Sequence, residues 1–229
     1  MATGTIILRP SRDVSLTHKC SRGSQGYILI YDNVADDDST YIYHNLSSTS
    51  TSNHTSTFIL TGEIPSSKIK INEVRLYSRA RKSSSGEAAN YHCYFGVNTN
   101  NGGNSANSGT SATLSQNYST ISENSTEMVN ELNNYLNTND TFPTISVAIT
   151  TSGRKSSNKN NDGYIRVTQV YMEIDYETVE EQSSLYVKEN GVWNKYTKIY
   201  IKSNNNWIEQ QDFENIFNSN VNYVKGEVQ

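Results

Sequence analysis

Cysteine and proline are scarce in this chain of 229 residues, with 2 and 3 copies. Two thiols, Cys20 and Cys93, cannot make a disulfide framework and say little about redox compartment; a pair and two free thiols are both compatible with them. Free, buried thiols are the plainer expectation. Charge is also sparse, at 18% of residues with a net value of −4. Without a basic field there is little to neutralise phosphates, so nucleic acid is set aside as a partner. No apolar run approaches the roughly 18 residues of a membrane-crossing helix, so no membrane span is expected. Met1-Ala2-Thr3-Gly4 lacks the charged-then-apolar plan of a signal peptide, which leads us to expect synthesis in the cytoplasm.

What is abundant is tyrosine, with 16 copies, together with asparagine, serine and threonine. These residues suit strands, turns and polar outer faces better than helices. The expected class is all-β. The length accommodates one sandwich plus an appendage, because single β domains often reach about 200 residues. A domain of that size buries roughly 70% of its unfolded surface, so its core requires no cofactor, metal or disulfide.

Strand-like runs recur at 5–8, 26–31, 40–46, 56–61, 68–79, 89–97, 144–150 and 164–176. Eight runs fit a jelly-roll-like two-sheet sandwich. In the last run Ile165 and Val167 alternate, and then Val170, Met172, Ile174 and Tyr176 alternate with opposite parity. A one-residue slip exchanges the two faces of a strand, so a β-bulge is expected near Thr168-Gln169. Ile69 and Ile71 giving way to Val74, Leu76 and Ser78 predicts a second bulge. One short helix interrupts the pattern. Asn124 is the expected N-cap, with Glu127 three positions on, and Met128, Leu132, Tyr135 and Leu136 share a face. Segments 98–111 and 153–163 are nearly all Gly, Ser, Asn and Lys and are expected to be exposed loops, with Gly102-Gly103 a tip and not a phosphate cradle.

After an acidic, polar stretch the sequence changes character, which predicts two domains, 1–178 and 179–229. The second carries a fourteen-residue repeat of Tyr-x-Lys-x-Asn-Gly-x-Trp type, with Tyr186 and Trp193 in the first copy and Tyr200 and Trp207 in the second. Asn190-Gly191 is a favoured type I′ pair, so this region is expected to be a small β-hairpin repeat module. Phe213, Ile216 and Phe217 are expected to pack on the tryptophans, closing a mini-core suited to docking or oligomerisation. Tyr186, Trp193, Tyr200 and Trp207 are therefore interface candidates.

Asp36-Asp37-Asp38 is the densest carboxylate cluster, and Asp36 and Asp38 are the calcium candidates because calcium prefers hard oxygen ligands. Their spacing matches no calcium loop, and a solvated turn is the plainer reading. His18, Cys20, His92 and Cys93 are zinc-type ligands, but adjacent His92 and Cys93 point to opposite faces of a strand. His44 and His54 are further bases, with no nucleophile elbow nearby. Arg75, Arg79 and Arg81, with Lys82, form a basic stripe that Arg154, Lys155 and Lys159 extend if the two regions are neighbours. The stripe is an interface candidate toward an acidic protein, although a solvated sheet face is commoner. With no assembled acid and base pair, no enzyme is expected.

The opening Ala2-Thr3-Gly4-Thr5-Ile6-Ile7-Leu8-Arg9-Pro10 with Asp13-Val14-Ser15, the segment Ala35-Asp36-Asp37-Asp38-Ser39-Thr40-Tyr41-Ile42, and the Tyr-x-Lys-x-Asn-Gly-x-Trp repeat together resemble virion structural proteins of tailed phages infecting gut Firmicutes. The resemblance spans most of the chain and implies a head-decoration, head-fibre or tail-associated type, located on the virion surface, with no active residues to carry over. The all-β chain, the polar loops, the repeat and the lack of an assembled catalytic set lead us to expect a non-enzymatic protein decorating the particle, on the capsid first of all, with weak host-surface adhesion. The rival expectation is a tail-associated carbohydrate-binding module that recognises a receptor. Expected partners are the major capsid protein or a tail protein of the same virion, further copies of this chain in a homo-oligomer, and a host-surface glycan.

Overall fold

The computed structural model describes residues 2–31, 38–47, 50–84, 86–98, 109–156 and 163–179, and the backbone of 185–189, 192–203, 206–210 and 224–228. The chain divides into two units, Met1–Val179 and Glu180–Gln229.

The first unit is antiparallel β throughout its sheets, which accords with the low charge and the abundance of β-prone residues. Strand β1 (Thr3–Ser15) serves two sheets. Its residues 3–8 pair with β10 (Tyr164–Thr178), and its residues 9–15 pair with β4 (Ser52–Thr61). Pro10 stands at the changeover, where the register slips before Arg12. Proline has no N–H to give a ladder, so it is tolerated where the ladder breaks.

In the first sheet, β10 runs along β5 (Ile69–Lys82) on one edge and along β3 (Ile42–Asn45) and then β1 on the other. Strand β8 (Ser119–Asn124) lies outside β5, and β2 (Lys19–Cys20) outside β3. The second sheet runs β1-β4-β9-β6-β7, where β9 is Ile145–Lys155, β6 is Gly86–Val97 and β7 is Gly109–Thr113.

Both expected bulges are present. Between Val167 and Gln169 the register against β5 advances by one residue less, leaving Thr168 unpaired, and Asn72 is skipped in the same way on β5. Each bulge keeps apolar side chains inward on both sides of it: Ile165, Val167, Val170, Met172 and Ile174 on β10, and Ile69, Ile71, Val74 and Leu76 on β5, are all buried. With Phe58, Phe95, Val147 and Ile149 from the second sheet they form one core. Burying each such side chain contributes about 1.5–3 kcal/mol.

Several expectations are corrected. Residues 26–31 do not form a strand; Gly26–Leu29 is a short helical turn, α1. The Asp13 carboxylate accepts from the N–H groups of Gly26 and Tyr27 at 2.9 and 2.8 Å, holding that turn in place. A Cβ on Gly26 would come within 2.6 Å of the Leu16 side-chain end and 3.1 Å of the Phe58 ring, so a larger residue would have to displace Leu16. Segment 98–111 is not loop to its end, because β7 begins at Gly109, where a Cβ would meet the Cys93 carbonyl at 2.0 Å. Strand β9 likewise continues through Gly153 to Lys155. Residues 99–108 and 157–162, including Gly102-Gly103 and Lys159, lie outside the described residues.

Helix α2 (Thr126–Leu136) is capped one position later than expected. Ser125, extended at φ −113°, accepts from the Met128 N–H through its hydroxyl, whereas Asn124 ends β8 and donates to Glu73. Met128 and Leu132 are fully buried, and Leu136 packs against the core.

In the second unit, β11 (Leu185–Glu189) pairs with β12 (Val192–Ser203), which pairs with β13 (Asn206–Gln210) and β14 (Val224–Val228), all antiparallel. The first pair closes at Glu189↔Val192 and the second at Ser203↔Asn206. The Asn190-Gly191 turn and the stretch with Phe213, Ile216 and Phe217 lie outside the described residues.

Candidate functional site

Inward alternation fixes which side chains of the first sheet face outward. Ile42 and His44 are buried on β3, so Tyr41, Tyr43 and Asn45 project the other way. By the same parity Tyr164, Arg166, Tyr171, Glu173 and Asp175 on β10, and Glu73, Arg75, Tyr77, Arg79 and Arg81 on β5, share that outer face.

At one end the face is electrically closed. Arg75 meets Glu73 at 2.9 Å, Glu173 at 3.1 Å and Asp175 at 2.8 Å. The bonds from Arg75 and from the Thr5 hydroxyl hold the Asp175 carboxyl below its ordinary pKa. In the middle, Tyr77 and Tyr171 stack at 4.5 Å, and Arg9 lies 4.9 Å over Tyr171.

The other end is open and cationic. The Arg166 guanidinium lies 4.1 Å over the Tyr41 ring and 4.0 Å over the Tyr164 ring. Arg81 lies 4.5 Å over Tyr118, and its Nη2 reaches the Tyr164 hydroxyl at 3.4 Å. Among the described residues no carboxylate pairs with Arg81 or Arg166. Ser21, Tyr41, Tyr43, Asn45, Tyr164 and Arg166 line a cleft of about 330 Å³.

Between the sheets lies a second polar group, built from His18, His44 and His54. Ser56 Oγ accepts from the N–H groups of Thr17 and His18 at 3.0 and 3.1 Å, so its own proton goes to His18 Nδ1 at 2.7 Å. His18 Nε2 then donates to Thr151 Oγ1 at 2.8 Å. Thr151 in turn donates to His44 Nδ1 at 3.0 Å, and His44 Nε2 donates to Ser52 Oγ at 2.8 Å. The result is a directed chain of neutral rings. Burial, with His54 and His44 nearby, lowers the His18 pKa to about 3; burial and His54 lower that of His44 to about 4.

The zinc-type residues are not brought together. His18 is in this chain, His92 stacks on Tyr94, and Cys20 and Cys93 are both free. Burial pushes the Cys93 thiol up to about 12, so it stays protonated. No group of three or more His, Cys, Asp or Glu among the described residues is arranged to hold a metal. Of the calcium candidates, Asp36 lies outside the described residues. Asp38 binds Arg79 through both carboxylate oxygens, each at 2.9 Å, and accepts from Thr168 at 3.2 Å.

The basic stripe is therefore split: Arg75 and Arg79 are paired with acids, and Arg81 pairs with none among the described residues. Arg154 and Lys155 belong to β9, a strand of the second sheet, and do not extend this face. Arg166 and the tyrosines around it went unnoticed in sequence, although the outward parity of Tyr41, Tyr43, Tyr164 and Arg166 was a usable signal. In the second unit Tyr186 stands opposite Lys195, Trp193 opposite Lys188, Tyr200 opposite Glu209 and Trp207 opposite Lys202.

Compared with protein-family models and with curated proteins, the chain matches no family and no relative. No helix among the described residues is long and apolar enough to cross a membrane.

Proposed function

We propose that this chain is a non-enzymatic structural protein of a tailed-phage virion: a jelly-roll sandwich decorating the particle surface, with a hairpin-repeat module from Glu180 onward for docking or oligomerisation. The observation that supports it best is the strand order. The chains of neighbours β1-β10-β5-β8 and β4-β9-β6-β7 support it, because two interleaved Greek keys, the jelly-roll arrangement found in viral capsid and lectin domains, would give this order. The resemblance of the N-terminal segment and of the repeat to phage virion proteins supports the location. The partners in this reading are the major capsid protein or a tail protein, and other copies of the chain.

A second reading, a tail-associated module that binds a host-surface glycan, is favoured by one observation: the tyrosine-lined cleft whose Arg166, like neighbouring Arg81, pairs with no carboxylate among the described residues. Tyrosines offer both a stacking face and a polar tip to a sugar. Cryo-electron microscopy of the intact particle, with mass spectrometry of separated heads and tails, tests the two. Density on the capsid lattice supports decoration; density at the tail tip replaces it with host recognition; absence from both fractions overturns the virion assignment.

A further inference from the structure

We propose that the cleft between β3 and β10 binds an anionic saccharide, its carboxylate or phosphate held by Arg166, with Arg81 behind Tyr164 adding to the positive field, and its ring and hydroxyls by the surrounding tyrosines, Asn45 and Ser21. The inference rests on the glycan-binding reading but not on where in the particle the chain sits.

The charge pattern carries the first step. Every other arginine on β5 is neutralised, Arg75 by three carboxylates and Arg79 by Asp38. Arg81 and Arg166 pair with no carboxylate among the described residues and share one aromatic cluster, linked through Tyr164 and both turned toward Tyr118, on which the Asp38 charge also acts. Of the two, Arg166 lines the cleft, so an anion bound there meets its charge directly.

Geometry carries the second. Rings 4.1 Å and 4.0 Å away pack against the Arg166 guanidinium, whose planar N–H fork lines the cleft and also reaches Tyr118. That planar fork matches a carboxylate or phosphate through two parallel bonds.

The lining carries the third. A free anion needs only the arginines, whereas this cleft adds the Tyr41 and Tyr43 rings, 6.0 Å apart, and the amide and hydroxyl of Asn45 and Ser21. Its volume of about 330 Å³ falls at the lower end of the ligand-cleft range, about 300–1,000 Å³.

The test is calorimetry on the full chain at low salt with four probes: a trimer of galacturonic acid, a short glycerol-phosphate teichoic oligomer, galactotriose as the neutral counterpart, and inorganic phosphate. We expect one of the first two to bind at least tenfold more tightly than galactotriose or phosphate; which one tells carboxylate from phosphodiester. Arg166→Gln is expected to weaken that probe at least tenfold and Arg154→Gln on β9 to leave it unchanged. If Arg166→Gln does not fold, Arg81→Gln and Tyr43→Ala take its place. Galactotriose binding as well as the acid overturns the anionic specificity but keeps the glycan reading. Phosphate binding as well as the saccharides reduces the cleft to a simple anion site. Binding that ignores all three substitutions moves the site elsewhere, and binding of no saccharide overturns both the inference and the glycan reading.

Discussion

The carboxamide of Asn133 on α2 closes both backbone hydrogen bonds of Ile71 on β5: Oδ1 accepts from the Ile71 N–H at 2.9 Å, and Nδ2 donates to the Ile71 carbonyl at 2.9 Å. Strand β8 covers the same edge of β5 only from Arg75 to Ala80, so Asn133 stands in for a strand partner beside the Asn72 bulge. Asn133→Ala leaves two part-buried backbone groups unpaired, and each such loss costs about 1–3 kcal/mol. We expect a clear drop in the urea midpoint and faster hydrogen exchange of the Ile71 amide. Asn133→Asp keeps the acceptor and loses the donor, and is expected to fall between wild type and alanine at neutral pH.

Acid is expected to destabilise the first unit through His18 and His44. Both are neutral in the fold with pKa values near 3 and 4, against about 6.5 in the unfolded chain. Below about pH 6.5 the unfolded state therefore binds more protons, and stability falls with pH until the folded rings themselves titrate. Denaturant melts between pH 7.5 and 4 should show this decline, and His18→Gln should flatten it while lowering stability at pH 7.5. A wild-type stability independent of pH across that window contradicts the buried chain of neutral rings.

The helix cap offers a sharper contrast. Ser125→Ala is expected to cost about 1 kcal/mol through loss of the bond to the Met128 N–H. Asn124→Ala removes only a bond to the exposed Glu73 side chain and is expected to change stability by less than about 0.5 kcal/mol. Thermal melts of the two variants rank them directly.

Asp38 and Arg79 are expected to couple. Removing either partner leaves the other half-buried with its bidentate bonds unmade, so a double-mutant cycle with Asp38→Asn and Arg79→Gln should return roughly 0.5–3 kcal/mol. A coupling near zero places this pair among ordinary surface ion pairs.

Much of the architecture is legible in the chain itself. The parity reversals on β5 and β10 announced both bulges, because a strand has a period of two and one extra residue exchanges its faces. Strands β7 and β8 were not legible: Gly109–Thr113 and Ser119–Asn124 carry little apolar signal, and they are strands because the edges of β6 and β5 accept them. Residues 26–31 misled for the opposite reason. A short apolar run looks the same in a strand and in a buried turn, and the Asp13 carboxylate decides between them.

For the candidate site the division is similar. The β class, the two inward faces and the outward positions of Tyr41, Tyr43, Tyr164 and Arg166 follow from local alternation, which needs no knowledge of neighbours. Which arginines keep a free edge was decided only in three dimensions. Asp38 reaches Arg79 across 41 residues of sequence and Asp175 reaches Arg75 across 100, while Arg81 and Arg166 meet no acid among the described residues. The register of β10 against β5 sets the pairing of Arg75 with Glu173 and Asp175. Pairing energy depends on distances between side chains far apart in sequence, and only the assembled sheet determines those distances.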